Sequence, residues 1–216
     1  MAKVAASVLD ADFSKQGQWL KELEKARVDR IHWDIMDNRF VPNKGVPEYR
    51  IGEARKKTGL FFESHLMVEE PETYVSDFSI MGSDLLTFHV ETTDKPMKMI
   101  THIRTAEMKA GICVNNKTPV EEVFPYLVNC DLVLVMSVDA GFGGQKFNEK
   151  AIEKISALRK KIDSEELECE IEVDGGINEE TGRLAVHAGA DILASGSYLF
   201  RHPGGITSAV KKLKKL

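Results

Sequence analysis

Residues 131–137 read DLVLVMS, residues 149–162 read EKAIEKISALRKKI, and residues 168–174 read ECEIEVD. The first and third stretches are short, apolar and partly β-branched, which is typical of strands in a buried sheet. The middle stretch repeats its apolar residues at the spacing of an amphipathic helix. A strand, a helix and a second strand in this order predict a βαβ unit with parallel strands.

The same alternation runs along the whole chain. Eight strands are predicted, at residues 3–9, 30–36, 60–67, 84–90, 109–114, 131–137, 168–174 and 191–195. Amphipathic helices are predicted between them, at residues 14–26, 71–81, 96–105, 119–127, 149–162, 179–188 and 206–216. Three of these helices begin with a proline, which is favourable at the first helical position because an N–H there would have no partner. The glycines and proline of residues 43–57 favour a long loop before a short helix.

Eight strand–helix units in 216 residues fit one fold class, a single-domain (β/α)₈ TIM barrel of the α/β class that spans residues 1–216. A doubly wound open sheet is the alternative, because hydrophobic periodicity does not distinguish an open sheet from a closed one. A barrel makes a further demand on the sequence. Its chemistry should lie at the carboxyl ends of the strands, where the βα loops form the active-site face.

The composition narrows the class of protein. Hydrophobic residues make up 43% of the chain and charged residues 29%, and the net charge is −5. These values are ordinary for a globular domain, and they argue against a nucleic-acid partner, which would require a positive surface. No apolar run reaches the length that spans a bilayer, so no membrane partner is expected. Cys113, Cys130 and Cys169 form no metal or disulfide motif, and we expect reduced thiols in a cytoplasmic protein.

Histidine and aspartate residues occupy the carboxyl ends of three predicted strands. His32 and Asp34 are two residues apart and therefore share one face of the second strand, while His65 and Asp174 end the third and seventh strands. Two imidazoles and two carboxylates at one end of a barrel predict a site for a divalent cation such as Zn²⁺, Mn²⁺ or Fe²⁺. His89 ends the fourth strand, and we expect it to have a supporting role.

Glycine-rich loops follow the last three predicted strands. They contain Gly141, Phe142, Gly143 and Gly144, then Gly175 and Gly176, then Gly196 and Ser197. Backbone N–H groups in such turns bind anions, and phosphate sites of these barrels commonly follow the last strands. A phosphorylated small-molecule substrate is therefore predicted. The sequence contains neither a P-loop nor a dinucleotide fingerprint, so neither ATP nor a nicotinamide cofactor is implied.

Six motifs together resemble the ribulose-phosphate 3-epimerase family. They are SVLDADF at 7–13, IHWDIMD at 31–37, FVPN at 40–43, HLM at 65–67, MSVDAGFGGQ at 136–145 and VDGGI at 173–177. The resemblance extends from about Val4 to Phe200 and preserves the order and spacing of the motifs.

The resemblance implies an isomerase that interconverts D-ribulose 5-phosphate and D-xylulose 5-phosphate through an enediolate, with one divalent ion, Zn²⁺, Fe²⁺, Mn²⁺ or Co²⁺. It implies that His32, Asp34, His65 and Asp174 bind the ion and that the two aspartates are also the acid–base pair. Ser7 and His65 are implied as substrate contacts, together with the glycine loops. Met36, Met67 and Met136 match methionines that line the site, and a homo-oligomer is expected.

Several positions depart from the pattern of the family. Asp10 stands where a serine is usual, Asn38 and Arg39 replace a Gly-His pair, and the loop at residues 44–52 differs. These positions are expected around the mouth of the site, so an epimerase of another ketose phosphate, such as D-allulose 6-phosphate, is the alternative. A sugar-phosphate-binding barrel without catalysis, a phosphate-binding barrel decarboxylase and a metal hydrolase are the other hypotheses.

Overall fold

The computed structural model describes residues 1–216 and contains a closed barrel of eight parallel strands. The strands are β1 Lys3–Ser7, β2 Arg30–Met36, β3 Phe61–Met67, β4 Leu85–His89, β5 Lys109–Val114, β6 Leu132–Met136, β7 Glu170–Asp174 and β8 Ile192–Ser195. Each strand pairs with the next, and β8 pairs with β1 from Ile192 opposite Lys3 to Ser195 opposite Ala6. The barrel prediction is therefore confirmed, and the open-sheet alternative is wrong.

Helices connect the strands and cover the barrel. The α-helices are α1 Gln16–Ala26, α2 Tyr49–Arg55, α3 Val75–Met81, α4 Pro96–Thr105, α5 Lys150–Ser164, α6 Glu179–Ala188, α7 Ser197–Phe200 and α8 Gly205–Leu213. Short, more tightly wound 3₁₀ segments cover Phe13–Lys15, Pro71–Tyr74, Val90–Thr92 and Val120–Asn129. The short helix expected within residues 43–57 is present as α2. No helix combines the length and the apolar run that crossing a membrane would require.

One predicted helix has a different form. The sequence pattern predicts an amphipathic helix that begins with Pro119, but the structure has a 3₁₀ segment at Val120–Asn129 with Pro119 just before it. Pro125 lies inside this segment. A proline inside an α-helix removes a hydrogen bond and collides with the preceding turn, so the apolar pattern is kept in a tighter, irregular form.

Alternation along the strands separates an apolar exterior from an interior in which charged and polar groups lie beside small apolar clusters. In β2, Ile31, Trp33 and Ile35 belong to the core between the strands and the helices. The intervening residues, among them Arg30 and His32, face the barrel axis. Since all seven residues of β2 are buried, every polar group on the inner face must find a partner inside the barrel.

Candidate metal centre and substrate pocket

Strand register brings the four predicted ligands together at the carboxyl end of the barrel. Asp34 of β2 lies opposite His65 of β3, and Asp174 ends β7. Together with His32, each of these residues offers one nitrogen or oxygen atom, and these atoms all lie within 4.8 Å of one another. Side chains from three strands therefore converge on one small volume.

Asp34 is the centre of this cluster. Its Oδ1 atom lies 3.4 Å from His32 Nε2 and 3.5 Å from His65 Nδ1, and its Oδ2 atom accepts a 2.9 Å hydrogen bond from the Ser7 hydroxyl. Both ring nitrogens are buried and have no hydrogen-bond partner. Buried polar atoms without partners are costly, and a divalent cation would satisfy both. The donor set of two imidazoles and two carboxylates therefore fits a metal ion.

A charged layer lies directly beneath the four ligands. Glu172 Oε1 is 3.1 Å from His32 Nδ1, and Glu63 Oε1 is 3.6 Å from the same nitrogen. Arg30 lies below these carboxylates, with one guanidinium nitrogen 3.2 Å from Glu63 and the other 3.0 Å from Glu170. The layer holds the imidazole of His32 from behind. Sequence reasoning missed these residues, although the alternation that placed His32 and Asp34 inward also places Glu63 and Glu172 inward.

The pKa values of Asp34, His32 and Asp174 are all shifted by their burial and by one another's charge. Burial raises the pKa of Asp34, but the nearby charge of His32 outweighs burial and holds that pKa below its usual range. Burial lowers the pKa of His32, and the Asp34 carboxylate more than offsets it, so the pKa of His32 is raised. Burial and the charge of Asp34 raise the pKa of Asp174 to about 7. The raised pKa values of His32 and Asp174 mean that, without an ion, this centre favours bound protons.

An open pocket lies above the cluster. Of the residues predicted to contact the substrate, all line this pocket except His65, which is fully buried beneath it. The predicted lining methionines, Met36, Met67 and Met136, are present. Asp10 also lines the pocket and was not predicted as a contact.

The glycine loops bring backbone close to the pocket. Gly175 and Gly176 have φ values of +114° and +60°, which are left-handed conformations that side chains rarely adopt. A Cβ atom at Gly176 would lie 2.6 Å from the backbone nitrogen of Phe147. Only glycine therefore fits where the β7 loop packs against the β6 loop. Gly175, Gly176 and Ser197 line the same pocket, where a phosphate is predicted.

Loops at the rim account for several departures from the family pattern. Asn38 has a φ of +60°, a conformation that asparagine tolerates better than most residues, so it can replace glycine. Arg39 pairs with Glu69 at 2.5 Å on the surface and does not line the pocket. Asp10 pairs with Arg201 at 3.5 Å beside the β6 loop. In that loop the predicted contact Phe142 is 52% exposed.

Comparison with known proteins shows the family of the chain. The model of the ribulose-phosphate 3 epimerase family matches residues 3–200. Ribulose-phosphate 3-epimerase of Bacillus subtilis is 40% identical over 201 residues, which cover 93% of each chain, and that of Synechocystis sp. is 41% identical over 202 residues, covering 93% of this chain and 88% of its own.

A solved structure gives the same architecture at low sequence identity. KGPDC from Streptococcus mutans superposes with a TM-score of 0.75 at 15% identity and covers 99% of this chain and 96% of its own. This likeness concerns the fold alone, whereas the family match and the curated relatives cover nearly the whole sequence. The chain therefore belongs to the ribulose-phosphate 3 epimerase family.

Proposed function

We propose that this chain is an isomerase that interconverts D-ribulose 5-phosphate and D-xylulose 5-phosphate by inverting C3, and that one domain over residues 1–216 carries the reaction. The observation that supports this most directly is the pairing of Asp34 with Asp174. Both carboxyl groups line one pocket, and their environments move their pKa values in opposite directions.

Inversion next to a ketone requires two proton transfers. One base removes the C3 proton, which leaves an enediolate, and an acid on the opposite face of the substrate returns a proton to the same carbon. In the metal-free protein near neutral pH, Asp34 is ionised and Asp174, with a pKa of about 7, is partly protonated. In the proposed reaction Asp34 takes the proton in one direction and Asp174 gives one, and the roles exchange in the reverse direction.

We propose that His32, Asp34, His65 and Asp174 hold one divalent ion, which is Zn²⁺, Fe²⁺, Mn²⁺ or Co²⁺. When bound, the ion would supply positive charge that stabilises the negative charge developing on the oxygens of the substrate. The partnerless nitrogens of His32 and His65 support this assignment. Nitrogen and oxygen donors suit all four of these metals, and the choice depends on geometry and supply.

Other residues orient the reacting groups. The Ser7 hydroxyl donates to Asp34 Oδ2, which directs the second carboxylate oxygen toward the histidines. Met36, Met67 and Met136 are buried around the pocket and carry no acidic proton that could quench an enediolate. The loops with Gly141–Gly144, Gly175, Gly176, Gly196 and Ser197 are proposed to hold the phosphate group through backbone N–H donors.

The alternative activities differ in what they require. A decarboxylase of the phosphate-binding barrels would use a strand lysine at the carboxyl ends, but the only strand lysines are Lys3 and Lys109, which begin β1 and β5. An epimerase of a hexulose phosphate would use the same carboxylates. The carboxylate of Asp10 beside the pocket is the feature that bears on this choice.

A substrate comparison tests the proposal. Purified protein loaded with divalent ion is assayed with ribulose 5-phosphate and with allulose 6-phosphate, and the epimer is detected by a coupled assay. We expect faster turnover of the pentulose. Turnover of allulose 6-phosphate alone would show that the substrate is a hexulose phosphate. Binding of either compound without turnover would favour a non-catalytic barrel. The oligomeric state and the cytoplasmic location stay predictions.

A further inference from the structure

A chain of polar groups leads from the back of His65 to the rim of the barrel. His65 Nε2 lies 2.9 Å from His89 Nε2, and His89 Nδ1 lies 3.2 Å from Glu91 Oε2. The other carboxylate oxygen, Glu91 Oε1, accepts the backbone N–H of Asn115 at 2.8 Å. His65 and His89 are fully buried, and the side chain of Glu91 is 22% exposed. His65 Nε2, both ring nitrogens of His89 and both carboxylate oxygens of Glu91 therefore each have a hydrogen-bond partner.

The contact between the two imidazoles is a hydrogen bond. Their planes are inclined by only 24° and their centroids are 5.0 Å apart, so the rings meet edge to edge with the two nitrogens between them. His65, His89 and Cys113 are also close enough to suggest a second ion. Two ligands of one tetrahedral ion would, however, stand about 3.3 Å apart when each is ~2.0 Å from the metal. A separation of 2.9 Å fits an N–H···N bond instead.

Glu91 determines which atoms donate and which accept in the hydrogen bonds that connect it to His89 and His65. Burial raises the pKa of Glu91, but the hydrogen bond from His89 outweighs it and lowers that pKa to about 2. An ionised carboxylate only accepts hydrogen bonds, so His89 Nδ1 donates to it. Since Nδ1 of His65 faces the proposed ion, the N–H of that ring lies on Nε2 and donates to His89 Nε2. The lone pair of His65 is then on Nδ1, the partnerless atom that faces Asp34.

We propose that His89 and Glu91 are positioning residues that keep the proton of His65 on Nε2 and thereby leave Nδ1 free to bind the divalent ion. The inference deepens the proposed function and rests on its metal site. Groups that orient a metal-bound histidine in this way typically change metal affinity by about 10- to 100-fold when they are replaced.

The backbone N–H of Asn115 makes one substitution especially informative. In Glu91→Gln, that N–H keeps the amide oxygen at the position of Oε1, so the amide NH₂ group faces His89 Nδ1. His89 must then accept at Nδ1 and donate from Nε2, which pushes the proton of His65 onto Nδ1, toward the ion site. Size and shape are preserved, while the hydrogen bonds of His89 to residue 91 and to His65 are both reversed in direction. Glu122→Gln, at an exposed position with no side-chain partner, is the matched control.

The experiment records long-range ¹H–¹⁵N correlation spectra of the metal-free full chain, which show which nitrogen of His65 carries the proton. Zn²⁺ affinity is measured on the same samples by competition with a chromophoric chelator. We expect an Nε2–H tautomer in the wild type and in Glu122→Gln. In Glu91→Gln we expect the Nδ1–H tautomer and a loss of Zn²⁺ affinity of about 10- to 100-fold.

Two results would overturn the inference. One is an Nδ1–H tautomer of His65 in the wild type, which decides the question even if Glu91→Gln does not fold. The other is a folded Glu91→Gln protein with the tautomer and the Zn²⁺ affinity of the wild type. Neither the tautomer nor the Zn²⁺ affinity is measured with substrate. If both proteins show the expected tautomers but the metal-loaded protein does not epimerise ribulose 5-phosphate, the proposed function fails while the positioning role stands.

Discussion

His32 and His65 direct different ring nitrogens at the same carboxylate oxygen, with His32 Nε2 3.4 Å and His65 Nδ1 3.5 Å from Asp34 Oδ1. The opposite nitrogen of each ring is held from behind, at 3.1 Å from Glu172 for His32 and at 2.9 Å from His89 for His65. The metal-facing atoms are therefore oriented by the barrel interior before any ion binds.

Replacing Asp174 with asparagine should abolish epimerisation while preserving the fold. The amide cannot hold or transfer the proton at C3, so exchange of that proton with D₂O should fall by at least about 100-fold. The measurement is deuterium incorporation into ribulose 5-phosphate by NMR, with the circular dichroism spectrum as the control for folding. Undiminished exchange and epimerisation in the variant would remove Asp174 from the acid–base pair.

Loading the metal-free protein with Zn²⁺ should release more protons at pH 6 than at pH 8. With a pKa of about 7, Asp174 is mostly protonated at pH 6 and mostly ionised at pH 8, and a metal ligand must be deprotonated. The titration of Asp174 alone gives a difference of roughly 0.8 proton per ion between the two pH values. Calorimetry in buffers of different ionisation enthalpy gives the number, and a release that does not depend on pH would be inconsistent with this site.

Glu63→Ala should destabilise the protein strongly. The substitution removes a fully buried carboxylate that partners Arg30 and leaves that guanidinium partly uncompensated, which costs about 3 kcal/mol or more. The matched control is Glu165→Ala, which removes an exposed partner of Lys161 and should cost less than about 1 kcal/mol. Urea denaturation measures both free energies of unfolding. Equal losses in the two variants would argue against a structural role for the charged layer.

Two glycines of the pocket should respond differently to alanine. At Gly176 the new Cβ atom meets the backbone of Phe147 at 2.6 Å, so the variant must move a loop. At Gly144, with a φ of +71°, no atom lies within 4 Å, and only the backbone strain of about 1–2 kcal/mol is expected. Thermal unfolding should show the larger loss for Gly176→Ala. A larger loss for Gly144→Ala would mean that the β7 loop is not packed as described.

Much of the fold could be predicted from local patterns. The positions of all eight strands follow from short apolar runs, and the inward orientation of His32 and Asp34 follows from their two-residue spacing. Closure of the barrel could not be predicted in this way, because it depends on pairing between β1 and β8, which are about 190 residues apart in sequence. The 3₁₀ form of Val120–Asn129 could not be predicted either, because its apolar pattern is also that of an amphipathic α-helix.

The candidate site likewise contains residues that the sequence predicts and residues that it does not. Residues at strand ends could be identified because the barrel gives their location a chemical meaning. Glu63, Glu172 and Arg30 lie deeper on the same strands, where a charged residue is unusual unless it is paired, and their partners are far away in sequence. The pairing of Asp10 with Arg201 also joins opposite ends of the chain. Such contacts become visible only when the barrel is closed.

We propose that four side chains hold one ion and that the reaction at C3 depends on this arrangement. The most direct measurement titrates metal-free protein with a divalent ion and determines, on each sample, the number of ions bound per chain and the rate of C3 proton exchange in ribulose 5-phosphate. The account predicts that the rate rises in proportion to bound metal and saturates at one ion per chain. Full exchange in rigorously metal-free protein would contradict it.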